Sequence, residues 1–360
     1  MSTGALAIVL SQTPNQFDGL RTIGKVIFIL DVSIFALLSA AMATRFVLVP
    51  QKFIASLHHP MESLFFGTYW VSGSLILNGI QNYGVPSTGP WLIKFLEVTF
   101  WMYCTTALLL GVFQYHLLFQ KESLPPSSAM PSWIFPIYPL LVVGSLASSL
   151  IPSQPQSARL PMWIGALMLQ GTGWLVASLI YTIYIQRLMS NALPDPPSRP
   201  AMFISVGPAG YTAAALLALG RQAPSVLGDH HFGVDSVPVG DVAKIMATLS
   251  GLFVILFAFW FFCMSTVAVL AGVRKMTFTL NWWAFVFPNA GLTLAAIEAG
   301  DALDSPGIGY VCSALTLGLV VMWFVTAFAH IRAVYKGQIL WPGKDEDSTM
   351  QGIPWGRRID

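Results

Sequence analysis

The feature that most limits this chain is a succession of long apolar runs separated by short polar stretches. A helix crossing a hydrocarbon core of about 30 Å needs about 20 mostly apolar residues. Nine runs meet that requirement, at approximately 23–48, 62–82, 91–119, 132–152, 160–186, 200–220, 244–272, 278–299 and 306–331. A soluble domain covers itself with about 25% charged residues. Here the figure is 9%, from 18 Lys and Arg and 16 Asp and Glu in 360 residues. The chain is therefore an all-α integral membrane protein. A tenth run, Met1 to about Leu10, reaches only about 15 Å as a helix, which reads either as an interfacial stub or as part of a span.

Counting that run as the first of ten spans orients the molecule. Twelve basic residues then fall on one side and six on the other, which places both termini in the cytosol. Residues 1–336 form the transmembrane domain and 337–360 a charged cytosolic tail, expected to be disordered from Lys344 onward. The net charge of +2 and the lack of a basic cluster exclude a nucleic-acid partner. No HExxH, Walker, nucleophile-elbow or CxxCH pattern occurs, so neither an enzyme nor a resident cofactor is expected. Cys104, Cys263 and Cys312 sit in apolar runs and read as buried hydrophobes. The loop bearing Asp229, His230, His231 and Asp235 is rich in Gly and Pro and reads as a flexible connection rather than a metal site.

Helix breakers alternate along the chain. Pro136 and Pro139 interrupt the fifth span, Gly207 and Pro208 the seventh, and Pro288 the ninth, while the even spans have prolines only outside their interiors. A proline frees a carbonyl that lipid cannot satisfy, so broken helices belong inside a bundle or beside a water-filled path. Polar side chains collect on the same odd spans: Thr68, Ser72 and Asn78 on the third, Ser205 and Thr212 on the seventh, Asn289 and Thr293 on the ninth. Taken together they describe a pore lined by hydroxyls, amides and helix dipoles, with no mid-span Lys or Arg. Such a lining holds an anion loosely. Asp31 and Glu97 lie at membrane depth on even spans, where a carboxylate is costly; they are the candidates for proton coupling. Arg45 and Arg221, near opposite span ends, read as snorkelling side chains or as funnels for anions, and Glu62 and Glu298 as end charges. His58 and His59 read as an interfacial cap.

Several segments resemble the tellurite-resistance/dicarboxylate transporter family, most closely its fungal malate permeases. They include SLHHPMESLFFGTYW (56–70), QGTGWLVASLIYTIYIQRL (170–188), RPAMFISVGPAGYTAAALLALG (199–220), FWFFC (259–263) and KMTFTLNWWAFVFPNAGLTLAAI (275–297). The resemblance implies ten helices arranged as five hairpins, odd helices around a central pore and even ones outside, assembled as a homotrimer. It also implies a phenylalanine gate in WAFVFPN, carried over to Phe287, with Phe285 as the other choice. Members of the family have a full first helix where this chain begins with Met1-Ser-Thr-Gly, so that helix is expected to be shortened. The implied activity is transport of C4-dicarboxylates such as malate across a fungal plasma membrane. Sulfite efflux, small-anion conduction and a non-transporting subunit are the alternatives.

Overall fold

The computed structural model describes residues 1–339 apart from 59, 122–123, 229–230 and 235. Among these the fold is helical throughout. Its helices are α1 (Ser2–Gln12), α2 (Leu20–Leu48), α3 (Pro50–His58), α4 (Pro60–Tyr83), α5 (Pro90–Lys121), α6 (Tyr138–Leu141) and α7 (Val143–Leu150). They continue with α8 (Gln156–Ser190), α9 (Val206–Leu227), α10 (Val239–Leu270), α11 (Phe287–Ala302) and α12 (Pro306–Tyr335). Proline opens α4, α5 and α12, where its missing N–H costs nothing and its fixed φ already suits a helix. Gly19, at φ 96°, turns the chain into α2, and Gly228, at φ 63°, ends α9.

Six helical stretches are long and apolar enough to cross a membrane: Leu20–Leu48, Pro90–Gln120, Gln156–Ser190, Pro196–Leu227, Val239–Leu270 and Pro306–Tyr335. Ser2–Gln12 and Tyr138–Ser153 are shorter apolar stretches. Burial separates them into two populations. In the most apolar window of α2 only 6% of residues are buried, against 94% for Pro196–Leu227. α1 is buried from Ser2 to Leu10 and α11 from Phe287 to Ala299. In contrast α2, α10 and α12 leave Leu37, Phe253 and Phe328 open. Large side chains exposed on this scale are unfavourable in water and normal in lipid. The buried set is the broken or short one, so the core consists of α1, α4, α6, α7, α9 and α11, wrapped by longer helices.

Three expectations change on this fold. The first run is no interfacial stub: α1 packs against α2, α4, α11 and α12 inside the protein. Cys263 is exposed while Cys104 and Cys312 are buried, because α10 turns that face outward, where lipid suits a thiol as well as a core does. The sixth span begins earlier than its apolar pattern indicates. α8 starts at Gln156, which brings Pro161 inside it, in a second turn whose freed carbonyl lies close to the helix end. The tail from Lys344 lies outside the described residues, as do His59 and three members of the Asp229–Asp235 loop. His231, the fourth, forms a bridge with Val234.

Candidate functional site

Three buried elements share one construction. A 3₁₀ segment enters the core, the chain breaks, and an α-helix begins just before a proline. Pro131–Ile134 leads through Pro136 to α6 with Pro139 at its start; Pro196–Ser205 leads to α9 with Gly207-Pro208; Leu280–Phe285 leads to α11 with Pro288. The residues preceding the three prolines are Tyr138, Gly207 and Phe287, and they meet at the centre of the molecule. The Phe287 ring stacks on Tyr211 at 5.2 Å between centroids and tilts against Tyr138 at 5.4 Å. Phe287 is 3% exposed. Tyr211 also donates a hydrogen bond from its hydroxyl to the Phe287 carbonyl at 3.4 Å. A side chain at Gly207 would overlap the Tyr138 hydroxyl, and a Cβ at Gly210 would come 2.6 Å from the Gly291 carbonyl carbon. Glycine is required at both positions for the broken helices to converge. The result is an aromatic plug of Tyr138, Tyr211 and Phe287.

On one side of the plug lies a cleft lined by every core element: Ile8 and Gln12 of α1, Ser74 and Asn78 of α4, Ser145 and Ser148 of α7, Tyr211 and Ala214 of α9, and Leu294 and Glu298 of α11. Tyr211 is therefore both part of the plug and part of the cleft wall. The space open to the centre of a water-sized molecule is about 20 Å³, roughly one water. This is a closed conformation. At the mouth, Arg221 of α9 pairs with Glu298 and Asp301 of α11.

The residues expected from sequence fall into distinct surroundings. Asn78 lines the cleft, donating to the Ser145 carbonyl at 3.4 Å and accepting from Asn82 at 3.0 Å. Thr212 is buried one layer back, where Gln170 of α8 donates to it at 2.9 Å and accepts from the Gly144 amide at 3.1 Å. Thr68, Ser72 and Thr293 donate to carbonyls of their own helices, at Phe65, Thr68 and Asn289. Asn289 donates to Phe285 while its Oδ1 is buried with no hydrogen-bond partner among the described residues. The Ser205 hydroxyl is likewise unpaired, and the Ser205 carbonyl accepts from Tyr181 at 2.6 Å. Phe285 packs against Phe203 and Trp282, away from the plug. Asp31 is buried against α1, where a Cβ on Gly4 would come 2.6 Å from its Oδ2. Glu97 makes a one-turn pair with Lys94 at 2.9 Å, and Arg45 lies 3.9 Å from Glu62.

Tyr138 and Tyr211 were not anticipated as functional, and Glu298 was read as an end charge. A signal for Tyr138 exists in the sequence. Tyr138-Pro139, Gly207-Pro208 and Phe287-Pro288 repeat one x-Pro step in three helices, and aligning them brings Tyr138 into register with Phe287.

With the plug and cleft in view, the likeness to known proteins becomes informative. Residues 1–331 match the family described as voltage-dependent anion channel, SLAC1. The chain belongs to that family. It is 28% identical to the malic acid transport protein of Schizosaccharomyces pombe, over 97% of this chain and 80% of that one. It is 29% identical to the sulfite efflux pump SSU1 of Arthroderma benhamiae, over 93% and 88%. An uncharacterized transporter of Methanocaldococcus jannaschii, MJ0762, is 24% identical over 94% of each chain. This SLAC1-family chain is thus an integral membrane anion transporter and not an enzyme.

Proposed function

We propose that the chain carries C4-dicarboxylates such as malate through a path that follows the cleft and passes the aromatic plug. The observation that carries this reading is the convergence of the broken helices on Phe287, with a polar cleft beside it that holds no mid-span Lys or Arg. Phe287 is the gate; Phe285, held by Phe203 and Trp282, is the second choice. Thr68, Ser72, Asn78, Ser205, Thr212, Asn289 and Thr293 supply hydroxyls and amides that exchange partners with the passing anion when the path widens. Asp31, buried beside α1, is the acidic residue we assign to proton coupling, because Glu97 is already neutralised by Lys94.

In this reading ten spans form five hairpins, residues 1–336 make the transmembrane domain, and three copies assemble in a fungal plasma membrane with both termini cytosolic. The length matched to the malic acid transport protein supports malate as substrate. The similar match to a sulfite efflux pump supports sulfite as the second reading. Uptake of labelled malate into proteoliposomes at imposed pH gradients tests the proposal. Saturable uptake that other C4-dicarboxylates compete away, and that grows with an inward proton gradient, is the expected result. Sulfite flux without malate flux overturns the substrate, and malate flux indifferent to the gradient overturns the coupling.

A further inference from the structure

Arg221 reaches from α9 to α11 at the mouth of the cleft. Its Nη1 lies 2.6 Å from Oδ2 of Asp301, and its Nη2 lies 2.9 Å from Oε2 of Glu298 and donates to Oε1 at 3.1 Å. The Asp301 side chain is about half exposed, whereas that of Glu298 is 11% exposed and forms part of the cleft wall with Asn78 and Ser148. One guanidinium against two carboxylates leaves the mouth with a surplus negative charge, the wrong sign for admitting an anion. The surrounding elements do not correct it. α1, α4 and α7 bring neutral Gln12, Asn78 and Ser148 to the cleft, while α12 and α10 pack Cys312 and Ile255 against Ala296 and Ile297 of α11.

We propose that Arg221 is the docking residue for the incoming anion, masked at rest by Glu298 and Asp301, and unmasked when these carboxylates take up protons. The proposal rests on the anion-transport reading above and adds a binding residue to it. The ligand is a small oxyanion, best a planar carboxylate whose two oxygens match the guanidinium fork. Protonation of one carboxylate brings the mouth to neutrality, and of both leaves a free positive charge. Docking therefore strengthens as pH falls, over the range of about pH 8 to 6 in which an ordinary carboxylate ligand stays ionised.

The test is the half-saturation concentration for malate and, in parallel, for sulfite in proteoliposomes across that pH range. In the wild type it falls as pH falls. Glu298→Gln lowers it about tenfold at neutral pH and flattens its pH dependence, the size expected for removing one competing charge from a partly screened pair. Arg221→Gln raises it by a similar factor. Arg221→Lys, which keeps the charge without the fork, falls between wild type and Arg221→Gln and stays informative should Arg221→Gln not fold. Unchanged half-saturation in Glu298→Gln and Arg221→Lys overturns the proposal. So does a rise in both, because a purely structural ion pair would weaken binding from either side. If the wild type carries sulfite but no malate, the substrate assignment falls and the same comparison is read on sulfite.

Discussion

Phe287 is held by two aromatic neighbours from two other elements, with its own carbonyl tied to Tyr211. Truncating its ring removes the centre of the plug and leaves Tyr138 and Tyr211 without a common partner. Phe287→Ala is therefore expected to raise anion flux severalfold in proteoliposomes, at a stability cost of about 3–5 kcal/mol seen as a lower melting temperature in detergent. Unchanged flux from a folded variant would remove Phe287 from the gate. At this scale the sequence was legible where a residue type has one use. Pro288 announced a break and Phe287 stood beside it. Tyr138 was illegible by type, because a tyrosine before a proline in an apolar run has no single meaning. Glu298 was illegible because its role depends on Arg221, 77 residues away in the chain.

The elements differ in how they are fixed to one another. α8 is an outer helix, yet it sends Gln170 inward to bond both Thr212 of α9 and the amide of Gly144 in α7. One side chain thereby ties an unbroken helix to two broken ones. Gln170→Leu keeps the volume but leaves the Gly144 amide and the Thr212 hydroxyl short of a partner, at about 1–3 kcal/mol for the first of these. The expected outcome is a lower melting temperature and faster amide exchange at the start of α7, with the outer helices unaffected; equal exchange in the two proteins would deny the tie. Helix existence was readable from the apolar runs, since each run corresponds to a helical element. Where helices begin was less readable. α8 starts several residues before its apolar run, because Gln156, Ser157 and Arg159 are polar yet sit at the membrane's edge, where composition carries no signal.

The whole molecule presents its apolar side chains outward on the long helices, among them Leu37, Leu175, Phe253 and Phe328. Part of this surface meets lipid; the proposed trimer requires that another part meet two further copies. In a mild detergent, native mass spectrometry is expected to give three chains per particle. A single chain at all concentrations would remove the trimer and leave the path within one copy as the functional unit. No sequence signal separates lipid-facing from copy-facing surface, since both are apolar.

Because the ring of Tyr211 touches Phe287 and also walls the cleft, the obstruction and the vestibule are two faces of one side chain. An inhibitor does not have to reach the narrowest point to keep this transporter shut. A slender molecule wedged beside Asn78 and Ser148 would pin Tyr211 in place, and block would then deepen with each closing event rather than compete with substrate from the far side.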